Sequence, residues 1–468
     1  MKKISCMMLI FSLFSSLFAY GEKESASYQS TYSTKEEKNI SEILYSVSNL
    51  YSFLDKNFLY EIDNDEVSDA LISALVNSLG DEYSYFVKSD EADDFEQDLN
   101  GEYSGIGTYV SKMNPAFIDA GNPETYMLKI VSPFPGGPAD RAGLMSGDMI
   151  FSINGEDITA MDADEAAKML RGKKGEEMVL GVYRNGIEFE LTVVPEDVVT
   201  PNSASTVLLD DVGYLAISTF NEMTAESVKE HLKNLEKAGI TALIIDLRNN
   251  SGGIVDAALE ISDFFLSEGT MVSLRYKDSS GNPDIRYTAN KETLVSSSTP
   301  VVLLVNGGTA SASEIMTASL ADNGRATVIG SNTFGKGIMQ TVIPYSGGFV
   351  RFTSADYYTP NDVSINKTGI RPDIEIPEKT LSEEETKIYV DIINNGEIDE
   401  FIKEHPSYSI ENVELFVSGY SEEIDKTFLA QLIQSEYFYR MPAHERPVVS
   451  YEYDDVLKAA LRLLGKDI

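Results

Sequence analysis

The chain has 468 residues, 43% of them hydrophobic and 10% aromatic, which is apolar material for roughly two to four domains. A formal net charge of −38 repels nucleic-acid phosphates and anionic lipid headgroups, so neither is expected as a partner. The single cysteine, Cys6, lies in the N-terminal apolar stretch read below as a signal, so a mature protein has no disulfide and no thiol nucleophile, and three histidines without metal-ligand spacing (His231, His405 and His444) leave no expected metal.

Lys2 and Lys3 precede an apolar stretch of 15 residues, Ile4 to Phe18, and the small-x-small site Ala19-Tyr20-Gly21. This is the pattern of a secretory signal over 1–21. The stretch is shorter than the roughly 20 residues that span a bilayer, although a retained N-terminal anchor stays as the alternative. The expected location is periplasmic or cell-envelope associated. Residues 22–39 are polar and read as a tether.

A helical region is expected over 40–95. Ile43, Val47, Leu50 and Leu54 recur at helical spacing, as do Val67, Leu71, Leu75 and Leu79, with Asn64 as cap and Gly80 as stop. Such stripes suit a helical packing unit or a homo-oligomer surface. The acidic run Asp90 to Asp98 reads as a solvated boundary.

Over 96–198 the pattern changes to short strands with turns at Asn154-Gly155 and Asn185-Gly186. Gly105-Ile-Gly-Thr108, Gly143-Leu-Met-Ser-Gly-Asp-Met-Ile150 and Ile153-Asn-Gly-Glu156 together resemble a PDZ domain. Such domains add a peptide C-terminus as a strand and seat its carboxylate on loop N–H groups. The resemblance makes Gly105, Ile106 and Gly107 the peptide-binding loop and the helix near Ala163 to Leu170 the groove wall. Arg171, at that helix's end, reads either as a link between the PDZ domain and the rest of the chain or as a cation facing the helix dipole.

Over 199–380 strands alternate with helices. Val228, Leu232 and Leu235 line a helix that Gly239 ends, and Ala242–Asp246 and Val301–Val305 read as buried strands. This alternation predicts an α/β layer with a largely parallel interior. Residues 381–468 read as a helical C-terminal region, opened by a Ser382/Glu385 capping box and closed by a stripe of Val456, Leu457, Ala460, Leu461 and Leu464.

Two segments carry chemistry. Asn306-Gly-Gly-Thr-Ala-Ser311-Ala-Ser-Glu-Ile315 follows a buried strand and opens a helix, where the Ala312 N–H is an unpaired donor able to stabilise an oxyanion. Ser311 with Glu314 is also a capping box, so a purely structural role stands beside the nucleophilic one. In Thr333-Phe-Gly-Lys336-Gly337 a lysine lies between glycines. It serves as a base only if burial lowers its pKa from ~10.4, and Phe334, Ile338 and Met339 are the expected apolar setting.

Together these segments resemble the C-terminal processing peptidases, or tail-specific proteases, whose Ser–Lys dyad lies in Thr-Ala-Ser-Ala-Ser-Glu and Phe-Gly-Lys-Gly. The 25 positions from Ser311 to Lys336 match that pattern. The resemblance spans about 40–380. It implies a ClpP/crotonase-like α/β core with an inserted PDZ domain, Ser311 as nucleophile and Lys336 as base. By the same resemblance Gln340 orients the amine, and the N–H groups of Ala312 and Gly253 hold the oxyanion. Ser251 stands where the family often has proline or glycine. An ideal strand would put Lys336 and Gln340 about 13 Å apart, so Gln340's role requires a bend near Gly337.

The implied activity is that of a serine endopeptidase without cofactor, acting on proteins or peptides with accessible C-termini. An inactive PDZ adaptor and a crotonase-type acyl-transfer enzyme are the alternatives.

Overall fold

The computed structural model describes residues 36–92, 95, 102–112, 125–134, 136–184, 186–277, 284–289, 292–420, 424–441 and 445–468. The secretory signal, nearly all of the tether, part of the acidic run, Asn185 and His444 lie outside them. The chain divides into two compact units, 1–75 and 76–468.

The first unit holds the helix Glu36–Asn57 and most of the helix Asn64–Asn77. Asp63, rather than Asn64, caps the second helix: its carboxylate accepts the N–H groups of Asp65 and Glu66 at 2.9 and 3.2 Å. The apolar stripe is not buried, with Ile43, Leu50 and Leu71 all exposed.

In the second unit, residues 102–199 build an antiparallel sheet in the order Thr108–Ser111, Leu128–Pro133, Met149–Ile153, Met178–Arg184, Ile187–Val193. Ile106, Leu128, Ile130, Ile150 and Leu180 fill its core. Asn154 and Gly155 both take positive φ, 51° and 80°, the backbone that a two-residue hairpin turn demands. Asp162 and Glu165 cap the helix Ala163–Leu170 reciprocally.

Residues 203–375 contribute a six-stranded sheet in the order Ser203–Leu208, Val212–Ile217, Ala242–Asp246, Val301–Val305, Thr327–Gly330, Ile374–Glu375, parallel throughout except for its first pair. The central strands are apolar without alternation because both faces are covered. Leu243, Ile245, Leu303 and Val305 pack with the helices Thr224–Lys237, Val255–Asp263 and Ala312–Asp322. Ile244, Val302 and Leu304 pack instead with Leu457, Ala460 and Leu461 of the helix Asp455–Leu463. The C-terminal region therefore closes the six-stranded sheet as well as forming a cluster of its own around Phe416, Leu429 and Ile433.

Charge reinforces this closure. Arg248 grips Asp246 in a fork at 2.6 to 3.0 Å and reaches Asp454 at 2.8 Å, while Asp454 caps its helix through the Leu457 N–H at 2.9 Å. The Tyr214 hydroxyl completes the cluster by donating to Asp246 at 2.7 Å. Arg446 donates to Ser132 and Ser146 of the 102–199 sheet region at 2.7 and 2.6 Å.

An antiparallel layer that the sequence did not announce stands beside this core. Its long strand Gly348–Tyr358 pairs with Ile338–Tyr345, with Thr270–Tyr276 and with the short strand Tyr85–Val87. Residues 81–87 are thereby fixed against the long strand Gly348–Tyr358, the hairpin partner of the strand that follows Lys336.

Candidate active site

Ser311 sits between the strand Val301–Val305 and the helix Ala312–Asp322, buried, with φ 56° and ψ −116°. Positive φ is uncommon outside glycine and persists where neighbours over-determine it. The neighbour here is Glu314, fully buried. Its carboxylate accepts the Ser311 N–H at 2.9 Å, the Gly335 and Lys336 N–H groups at 2.8 Å each, and the Thr333 hydroxyl at 2.5 Å. One acid thus holds the serine turn and the lysine turn in register. The capping-box reading of Glu314 captured one of these four bonds.

The turn of Gly252 and Gly253 lies against the serine. A Cβ on Gly252 would come within 2.8 Å of the Ser311 Cβ and 2.9 Å of the Ala312 nitrogen. Gly253 has φ 138°, and a Cβ there would meet the Phe220 carbonyl at 2.0 Å, so only glycine fits. Among the described residues neither the Gly253 N–H nor the Ala312 N–H has an acceptor. The arrangement has two free backbone donors beside one hydroxyl, as an oxyanion site needs.

Lys336 is half-buried, between Gly335 and Gly337, whose missing side chains admit the 366–369 backbone within 3 Å. Burial pushes its amine below the ordinary lysine value and the Arg351 cation pushes the same way, while Asp81 and Glu82 partly oppose them. The apolar setting differs from expectation. Phe334 is 57% exposed, because its turn faces outward, and the surface under the amine is the Tyr83 ring, 4.3 Å from the nitrogen.

The Ser311 side chain lies beside the buried Tyr357 hydroxyl, whose pKa burial raises and the Ser311 neighbour lowers in part. No hydrogen bond joins the Lys336 amine to Ser311 among the described residues. Gln340 does not reach the lysine either. A bulge between Met339 and Gln340 turns its amide to Arg351, which donates to its oxygen at 3.3 Å, and to Thr353 at 3.5 Å.

One cavity of about 1020 Å³ takes in both halves of the molecule's chemistry. Ser311, Lys336, Gln340 and Gly253 line one part, and Ile106, Gly107, Leu170 and Arg171 the other. Gly107 has φ 71°, and the Ile106 and Gly107 carbonyls are held by the N–H groups of Ala139 and Phe134. The loop's own N–H groups at Ile106 and Gly107 have no acceptor among the described residues. Gly105 ends the strand Glu102–Gly105 beside them, and the Arg171 guanidinium lies over the Tyr103 ring at 5.7 Å. Asp81, Tyr83, Arg351 and Tyr357 escaped the sequence reading. For Asp81 and Tyr83 the helix stop at Gly80 was the one signal nearby, and a stop signals a turn rather than chemistry.

The profile of peptidase family S41 matches residues 211–376, and that of the PDZ domain matches 129–184. A carboxy-terminal-processing protease of Bartonella bacilliformis is 31% identical over 76% of this chain and 82% of its own length. The carboxy-terminal processing protease CtpA of Bacillus subtilis is 32% identical over 70% of this chain and 68% of its own. Among solved structures, the photosystem II D1 C-terminal processing protease is 27% identical over 70% of this chain and 86% of that one, with a TM-score of 0.42. On the profile matches and the identity to these two relatives, the chain belongs to peptidase family S41 and is a serine-type carboxy-terminal processing peptidase with a PDZ domain.

Proposed function

We propose that this peptidase captures the free C-terminus of a protein in its PDZ groove and cleaves the chain beyond it with a Ser311–Lys336 dyad. The observation that carries the reading is the single cavity shared by the Ile106–Gly107 loop and Ser311. A carboxylate seated on the loop N–H groups leaves the rest of the tail extending toward the serine.

Neutral Lys336 takes the Ser311 proton as Oγ bonds to the scissile carbonyl carbon. The Ala312 and Gly253 N–H groups receive the developing oxyanion. Collapse breaks the C–N bond, and Lys336 returns the proton to the leaving amine. Water, deprotonated by the same amine, then hydrolyses the acyl-enzyme. The step requires the Ser311 hydroxyl and the Lys336 amine to turn toward each other, so the described arrangement is a resting one.

The chain acts outside the cytoplasm, on the strength of Lys2, Lys3 and the Ile4 to Phe18 stretch. N-terminal sequencing of the secreted protein beginning near residue 22 is the expected outcome.

Capture of a carboxylate is tested with two reporters, identical but for a free or an amidated C-terminus. Mass spectrometry is expected to show about tenfold faster cleavage of the free tail at limiting substrate, the worth of one charge-assisted contact of roughly 1.4 kcal/mol. Equal rates would remove the PDZ groove from substrate selection.

Arg351 offers a test of the base. It pushes the Lys336 amine down, so Arg351→Gln raises it, and the neutral fraction at pH 7 falls. The acidic limb of kcat/KM against pH is expected to move upward, with a lower rate at neutrality. An unmoved limb would separate the titrating group from Lys336.

A further inference from the structure

The residues that hold Lys336 come from a part of the chain far from either catalytic segment. Residues 81–87 run along the strand Gly348–Tyr358, with Tyr85 opposite Arg351 and Phe86 opposite Val350. Three side-chain bonds pin the segment's start. The Asp81 carboxylate accepts the Ser84 hydroxyl and, at 2.6 Å, the Thr353 hydroxyl, and the Ser84 oxygen accepts the Thr353 N–H at 3.1 Å. Tyr83, carried between these anchors, lies with its ring under the Lys336 nitrogen at 4.3 Å.

We propose that Tyr83 is a positioning residue for the reaction, its ring face being the seat that holds the cationic form of the Lys336 amine. The inference rests on Lys336 being the base. An aromatic face attracts an ammonium and has no comparable pull on the neutral amine. It therefore favours the protonated state, both at rest and after Lys336 has taken the serine proton. The charged groups around the amine are Asp81 and Glu82 from the same segment and Arg351 from the long strand. Gln340, Tyr357 and the carboxylate of Asp256 are among the polar side chains that line the same cavity, and Glu314 is committed to backbone N–H groups and the Thr333 hydroxyl. Desolvation and Arg351 drive the proton off the amine, and Asp81, Glu82 and the ring keep it on. The ring adds a fixed place to the balance: anchored at both ends, it stops the flexible lysine stem from carrying the ammonium into solvent.

The test uses the full-length protein and a free-tailed reporter, with kcat/KM and kcat followed against pH. Tyr83→Leu removes the face. The acidic limb is expected to shift down by about half a pH unit, as loss of an attraction of this class implies. The maximal kcat is expected to fall several-fold, and KM to hold, since Tyr83 is not among the residues lining the cavity. Tyr83→Phe keeps the face, and its limb is expected to coincide with the parent's. Should the leucine variant fail to fold, Tyr83→Trp carries the test with the opposite sign, a stronger face moving the limb upward.

A leucine or tryptophan limb superimposed on the parent's overturns the proposal, as does a phenylalanine limb displaced as far as leucine's. Ser311→Ala and Lys336→Met run alongside. If either keeps parental activity the dyad itself fails, and that outcome is distinct from failure of the seat.

Discussion

Ser311→Ala is expected to lower kcat/KM on a tailed reporter by about 10⁴-fold or more, and Lys336→Met by about 10³- to 10⁴-fold. The two losses should not add in the double variant, because nucleophile and base act as one unit. The alanine variant keeps both oxyanion donors, so its residual rate measures what the Ala312 and Gly253 N–H groups do alone. A fluorophosphonate probe, which reacts only with an activated serine, should label the parent and neither variant. Melting temperatures should stay near the parent's, since the serine hydroxyl and the lysine amine hold none of the backbone bonds of their turns. Labelling of Lys336→Met at the parental rate would take the base away from Lys336 and leave the nucleophile standing.

Glu314 should show the opposite division between stability and chemistry. Its two oxygens take four donors. In Glu314→Gln one oxygen becomes an NH₂ group that faces donors instead of accepting from them. Each buried donor left unmatched costs about 1–3 kcal/mol. For a chain of this size that is a fall in melting temperature of several degrees. The same change lets the serine and lysine turns drift apart, and a displacement of an ångström at reacting groups costs on the order of 10²-fold in rate. Thermal unfolding and kcat/KM, measured on one preparation, are expected to fall together. A Gln variant within twofold of the parent in rate would mean that the turns hold their own shape.

What the sequence disclosed, and what it withheld, follows physical lines. Ala242–Asp246 and Val301–Val305 were legible because strands buried on both faces are apolar without interruption, and the structure places helices on each side of them. Ser311 and Lys336 were legible as segments whose composition and interval belong together. Their partners were not. Tyr85–Val87 is too short to show a period of two, and its pairing with Gly348–Tyr358 bridges more than 260 positions. Tyr357 and Arg351 are ordinary members of a strand until the fold turns them to the cavity. Phe334 misled for a related reason: adjacency in sequence to a lysine does not put a ring beside its amine, and the ring that lies there is Tyr83. Asn64 lost the cap to Asp63 by one position, a difference that only the carboxylate's bonds reveal.

The closing helix Asp455–Leu463 carries a genetic consequence. A nonsense change at codon 454 would leave every reacting residue encoded, yet it would strip Arg248 of one carboxylate and uncover Ile244, Val302 and Leu304. Such an allele should score as null in the cell, through misfolding and clearance. Terminal affinity tags belong with that warning: Lys466 is paired to Asp211, so a fusion at the carboxyl end loads a segment already docked on the sheet.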